Sequence, residues 1–303
     1  MKTKKGEITM AKKSYVPRNA VNRHVRELPM KVIMTLLLTM LAVIMIVPFI
    51  WMISSSFKYE RDVMTVPIQW IPENPTWGNF KEVLHINTNS KDYHFLLAYW
   101  NSIKVSVIST VVSVVTAMMA GYAFAKLKFR GANVLFIIYL AQMMVPSQLT
   151  LIPRFVLFSA LEMTNTHFSI IAPKLIAVSA TFMMRQAFMS VPNELRESAM
   201  IDGAGEWHTW WRIMVPQIKP TIGALATVQF LDSWNSYLDP LIFLSDWRLR
   251  TLPIALNQFV SEEGTQYNLL AAACCLTVIP VFIVFLCGQK FFIKGLTVGA
   301  VKG

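Results

Sequence analysis

The 303-residue chain is 54% hydrophobic and only 15% charged, with a mean hydropathy of +0.47, a balance that excludes an ordinary water-soluble domain and points to a bilayer. Its formal charge of +11 raises nucleic acid as a partner, but the largest basic cluster, Lys2 to Lys31, lies directly before the first apolar run, where topology and anionic membrane lipid account for it. With no RNP-like or zinc-finger pattern, nucleic acid is not implied.

A hydrocarbon core about 30 Å thick takes roughly 20 apolar helical residues to cross. In chain order, Val32 to Trp51, Val105 to Ala125, Ala132 to Pro153 and Tyr267 to Gln289 are free of Asp, Glu, Lys and Arg. Phe168 to Met184 carries Lys174, and Thr221 to Ser245 carries Asp232 and Asp239. Counting both gives six spans and puts most of the 28 lysines and arginines on the cytoplasmic side. Dropping one would leave Lys290, Lys294 and Lys302 outside, against the tendency of basic residues near spans to stay in the cytoplasm. The first run is longer than the roughly 7–15 residues of a signal-peptide core and is expected to stay as an anchor. The expected architecture is all-α and polytopic, with about six transmembrane helices. A basic cytoplasmic arm (1–31) precedes a membrane domain (32–293) and a cytoplasmic tail (294–303), all in a cell membrane. Cys274, Cys275 and Cys287 share the last run without CxxC spacing, so neither a disulfide nor a metal site is expected.

Between the spans, 58–99 is rich in Pro, Asn and Trp, and Pro67, Pro72 and Pro75 interrupt any long helix, which makes it an outer loop. Arg248 to Gln266 forms a second, shorter outer stretch. The cytoplasmic segment 190–216 has more structure. Val191-Pro192-Asn193 looks like a helix start, with Glu194 and Glu197 where a helix dipole favours acid. Gly203 supplies a turn. Leu195, Ala199, Trp207, Trp210, Trp211 and Met214 then give a short helix pair one apolar side, and Pro216 and Pro220 close it. Such a pair suits either the membrane interface or a lever packed on a partner.

The residue order favours the lever. Glu197-Ser198-Ala199, three residues, Gly203, nine residues, Ile213, one residue and Val215-Pro216 resemble the EAA loop of ABC-importer permeases, E-A-A-x3-G-x9-I-x-L-P, with Ser198 and Val215 as conservative replacements. MVPSQLTLIP ending at Pro153, Arg185 to Phe188, Ser198 to Ala204, Trp234-Asn235, Pro240 to Ile242, Thr251 to Pro253 and the tail Gly295 to Gly303 are similar to the MalG-like sugar permeases. The resemblance covers roughly 30–303 and implies a type I ABC-importer permease fold with a cytoplasmic coupling helix pair. It implies ATPase coupling through Glu194, Glu197, Ser198, Ala199, Asp202, Gly203, Ala204, Ile213 and Pro216, and a second ATPase contact through Gly295, Gly299, Lys302 and Gly303. It also implies the partners: a second homologous permease, two ATP-binding cassette subunits and an extracytoplasmic sugar-binding protein. No cofactor would be bound directly, with ATP and Mg held on the partner ATPase.

Polar residues inside spans are costly and invite a role. Gln142, Asp232, Trp234, Asn235 and Tyr237 are candidates for a translocation pathway, where Trp and Tyr stack on sugar rings while Asn and Asp bond hydroxyls. The bland alternative places Asp232 and Asp239 near the outer end and gives Asn235 a helix-pinning role. Lys174 is expected to snorkel to the outer interface. There is no G-x-x-x-x-G-K-[ST], H-E-x-x-H or G-x-S-x-G, and His24, His85, His94, His167 and His208 are scattered. A non-catalytic subunit of an ATP-driven sugar importer is the reading. An ion-coupled secondary transporter and a membrane-embedded enzyme or scaffold are the rival classes, and amino-acid or peptide importers, which share a related coupling loop, are the nearest neighbours.

Overall fold

Ten helices carry the argument in the computed structural model, which describes residues 18–85, 94–261 and 264–300, with side chains over 29–85, 94–260 and 264–291. They are α1 (Arg18–Ser56), α2 (Phe95–Lys126), α3 (Ala132–Ala141), α4 (Leu151–Ala160), α5 (Phe168–Met189), α6 (Glu194–Ile201), α7 (206–217), α8 (Lys219–Trp234), α9 (Leu238–Phe243) and α10 (Tyr267–Ala300). Residues 1–17 of the basic arm lie outside the described residues. The contacts divide the chain into Met1–Trp51 and Met52–Gly303. In the first unit, α1 is apolar on every side and exposed throughout 29–50, the pattern of a helix whose solvent is lipid.

Four stretches are long and apolar enough to cross a membrane: Pro29–Ser56, Phe95–Lys126, Phe168–Met189 and Tyr267–Phe291. The run 132–153 is divided, although it carries no charge. Pro146 disfavours the helical region for the preceding residue, and Val145 is extended (φ −90°, ψ 114°) after a 3₁₀ turn at Gln142–Met144. Helix α2 starts at Phe95 rather than Val105. Its early polar residues are satisfied: Asn101 Nδ2 donates to the Arg248 and Arg250 carbonyls (2.8 and 3.1 Å), and the Leu252 amide donates to Ser102 Oγ (2.7 Å).

In the second unit, α2 packs against α5 and α8, and α8 against α10. Lipid is as apolar as these side chains, so helix association rests on close packing rather than water exclusion. Helix α2 meets that need with a buried row of small residues, Ser102, Ser106, Ser109, Ser113, Ala117 and Gly121. One apolar cluster lies around the 190–216 segment and includes Tyr122, Met184, Phe188, Trp210 and Met214. A second gathers Phe95, Phe230, Trp234, Leu252 and Phe259 toward the other ends of these helices. There Asn79 Nδ2 donates to the Ser56 and Lys58 carbonyls (2.8 Å each), and Asn268 Nδ2 donates to Asn79 Oδ1 (2.9 Å). A short antiparallel hairpin pairs β1 (Val260–Ser261) with β2 (Gly264–Thr265) in the 248–266 stretch, where Glu262 and Glu263 lie outside the described residues.

Candidate functional site

The segment 190–216 forms two helices joined by a tight turn. Glu194 and Glu197 occupy the first turn of α6, where the exposed amides favour acid. The helix ends in a Schellman motif: Gly203 N donates to Met200 O (3.1 Å) and Ala204 N to Ala199 O (2.9 Å). Gly203 sits at φ +83° with no heavy atom within 4 Å of where a Cβ would lie, so glycine is needed here for its backbone and not for space. In α7, a π-helical stretch at Thr209–Met214 separates Glu206–His208 from Val215–Gln217. Trp210 (5% exposed) and Met214 (0%) turn into the core while Trp207 (67%) and Trp211 (53%) remain outside. Ala199, Asp202, Gly203, Ala204, His208 and Ile213 line an open depression of about 510 Å³.

The last two turns of α2 hold the entry to α6 and the start of α7. Lys126 Nζ donates to Val191 O and Asn193 Oδ1 at the entry (2.6 Å each). At the start of α7, Glu206 accepts from Tyr122 Oη (2.8 Å) and from Arg196, through Nε (2.9 Å) and Nη2. The Arg196 hydrogen bonds hold the Glu206 carboxyl below the usual carboxylate range; burial opposes this and the Tyr122 hydroxyl reinforces it. A depressed pKa contributes stability that is present above the unfolded value, about 4.3, and is lost as pH falls through the folded one. Amide exchange over 194–217 is therefore expected to be faster in Glu206→Gln than in the wild type at neutral pH. The difference should shrink below about pH 4.3 and vanish once wild-type Glu206 is protonated; a pH-independent difference would assign the effect to packing.

A second constellation lies farther along the helices. The 3₁₀ segment Ala172–Ile176, opened by Pro173, carries Lys174, which pairs with Asp232 of α8. Arg154 of α4 pairs with Asp239 of α9 and lies 5.2 Å from the centre of the Phe243 ring. These four residues, with Gln148, Asn235 and Tyr237, line a cleft of about 960 Å³. Tyr237 Oη accepts a hydrogen bond from Asn257 Nδ2 (2.7 Å).

A family model described as the binding-protein-dependent transport system inner membrane component matches residues 113–298. This chain belongs to that family. The permease is 34% identical over 277 residues to the arabinooligosaccharides transport system permease protein AraQ of Halalkalibacterium halodurans, covering 89% of this chain and 96% of the relative. It is 31% identical over 239 residues to the sn-glycerol-3-phosphate transport system permease protein UgpE of Yersinia enterocolitica, covering 78% and 85%. In fold it resembles a chain of a bacterial ABC transporter involved in import of the acidic polysaccharide alginate, with TM-score 0.78, 23% identity, and 92% and 99% of the two chains covered. It also resembles a chain of the inward-facing MetNI methionine ABC transporter, with TM-score 0.51, 14% identity, and 65% and 93% covered. The all-α type I permease architecture and the membership of a transport-component family expected from the sequence are thus in place.

Several expected site residues of the permease fall elsewhere. Trp234 does not line the cleft: it is 2% exposed, stacked on Phe230 (5.7 Å between centroids) and edge-on to Tyr99 (5.8 Å). Trp234→Ala is accordingly expected to destabilise by about 3–5 kcal/mol, read as a lowered thermal midpoint in detergent. Altered solute affinity with unchanged stability would restore the pathway role. Gln142 is exposed on its 3₁₀ turn and is absent from the cleft lining, where Gln148 lies instead. Asp232, Asn235 and Tyr237 do line it, and Lys174 reaches Asp232 rather than a free interface. The tryptophans of α7 form one contiguous cluster (4.7 Å between the Trp207 and Trp210 centroids, 5.6 Å between Trp210 and Trp211), with Trp210 in the core and Trp207 and Trp211 left exposed. Glu194, Glu197, Ser198, Asp202 and Gly203 are exposed, Ala204, Ile213 and Pro216 half-buried and Ala199 buried. Gly295 and Gly299 fall on α10 beyond its described side chains, and Lys302 and Gly303 lie outside the described residues. Tyr122, Arg196, Glu206 and Arg154 escaped notice in the sequence. A Glu just past the motif glycine was the available signal for the clamp.

Proposed function

We propose that the permease pairs with a second, related permease and two ATP-binding cassette subunits to import a sugar or oligosaccharide delivered by an extracytoplasmic binding protein. The name of one relative, an arabinooligosaccharides transport system permease protein, supports the solute class. The observation that carries the coupling is the double attachment of the helix pair to α2: Lys126 holds the entry to α6, and Tyr122 holds Glu206 at the start of α7, which also binds Arg196 of α6, so both helices are tied to the one that holds them. Helix α7 leads through Pro216 and Pro220 directly into α8. Closure of an ATPase dimer beneath α6 and α7 is thereby delivered as rigid-body motion to α2 and α8, whose far halves border the cleft or pack behind it. ATP binding opens the pathway outward, and hydrolysis on the partner resets it inward. The excess of Lys and Arg at the loop end and both termini supports a cytoplasmic position for all three.

The test is affinity purification of the tagged permease from detergent, with identification of what accompanies it. An ATPase and a second permease are expected, and both the ATPase and its stimulation by binding protein should be lost when 197–203 is replaced by a Gly/Ser linker. Recovery of the chain alone, moving solute without ATP, would replace this reading with ion-coupled transport.

A further inference from the structure

The cleft between α4, α5, α8 and α9 has an unusual charge balance for its size. It is lined by two cations and two carboxylates, and each cation is bound to a carboxylate across the cleft: Lys174 to Asp232, and Arg154 to Asp239. Among the described lining residues no charge is left over. The remaining polar groups, among them Asn235, Gln148 and the Tyr237 ring with its hydroxyl anchored by Asn257, are neutral. A volume of about 960 Å³ matches the upper range of small-molecule sites, about 300–1,000 Å³.

We infer that this cleft is the solute-contact surface of the permease and that it accepts an uncharged, polyhydroxylated solute while disfavouring an anionic one. The inference rests on the importer reading above and adds that this chain itself touches the solute. A carboxylate accepting one cation keeps further lone pairs for solute hydroxyls, and the Asp232 side chain, 58% exposed, has them available in the cleft. The amides of Asn235 and Gln148 both donate and accept, as hydroxyls do. A phosphate or uronate would instead meet Asp232 and Asp239 as like charges. To reach Lys174 or Arg154 it would have to displace the resident carboxylate, which would then stand beside it as a like charge without its cation. The ion pairs thus set the sign of the solute: they cancel the two cations that an acidic sugar would need.

The permease complex in lipid nanodiscs, without its binding protein, is titrated with neutral trisaccharides (xylotriose, arabinotriose and maltotriose) and with trigalacturonate, and contact is read by saturation-transfer NMR. At least one neutral trisaccharide is expected to bind, and trigalacturonate is not. Asp232→Asn should weaken the neutral ligand by about tenfold, the loss of one charge-assisted hydrogen bond, and should admit trigalacturonate because Lys174 is freed. Lys174→Gln with Asp232→Asn keeps the cleft neutral and should admit no uronate, which separates charge from altered shape. Trigalacturonate binding to the wild type as well as the neutral sugars do would overturn the inference. So would failure of Asp232→Asn to gain it, or absence of any neutral ligand. None of these results touches the importer reading, which stands or falls on co-purification of the ATPase.

Discussion

Gly203→Pro is expected to abolish binding-protein-stimulated ATPase activity and uptake by the reconstituted complex, while the chain still inserts in the membrane. Proline fixes φ near −65°, whereas Gly203 holds +83°. It also removes the amide that donates to Met200 O. Losing the Schellman turn redirects α7 and carries Glu206 away from Arg196 and Tyr122, so the helix pair loses its second attachment to α2. Because no atom lies within 4 Å of a Cβ at this position, a substitution series reads the dihedral angle without a steric contribution. Gly203→Asn, which tolerates left-handed backbone, should retain most coupling. Gly203→Ala should fall between, at a cost of about 1–2 kcal/mol. Full coupling in the proline variant would show that motion does not pass through this turn.

The parts of the permease legible in the sequence are those governed by local rules. Long uncharged runs gave three of the four long apolar helices, and Gly203 between an acidic helix start and two prolines gave the turn of the helix pair. The charged spans were harder to read because hydropathy treats each residue alone. Lys174 and Asp232 each weaken a span by that measure, yet they neutralise one another across 58 positions of sequence. Proline acted in the opposite direction: the uncharged run 132–153 was the cleaner signal and is nevertheless broken before Pro146, where Val145 is extended, whereas α1 and α10 continue through Pro48 and Pro280. The tryptophans of α7 were assigned one side by the 3.6-residue period, and they form one cluster although the π stretch changes that period locally. Trp234 was open to both readings, because an aromatic beside Asn and Asp suits both a sugar platform and a packed core. The structure packs it on Phe230 and Tyr99, and Tyr99 lies far off in sequence on α2.

Gly121→Leu is expected to prevent stable association of α2 with α5 and to lower the yield of folded permease severely. A Cβ at Gly121 would lie 2.6 Å from Met184 Cβ, 2.8 Å from Arg185 N and 3.0 Å from the Met184 carbonyl carbon. Two of these are backbone atoms, so no rotamer change relieves them and the helices themselves must separate. The adjacent Tyr122 would move with α2, which takes the clamp on Glu206 with it. Even Gly121→Ala should cost about 1–3 kcal/mol by overpacking, measured as a lowered thermal midpoint and as weaker ATPase stimulation. Met184→Ala should not rescue it, since alanine keeps the offending Cβ, and Met184→Gly should rescue only in part, since Arg185 N remains. Rescue by Met184→Ala would mean that the flexible end of the methionine was the obstacle and that the backbones are farther apart. Gly121 and Gly203 are the same residue required for opposite reasons, one for the absence of a side chain against a neighbouring helix and the other for a dihedral angle in open space. A motif spacing reveals the second, whereas only the facing helix reveals the first.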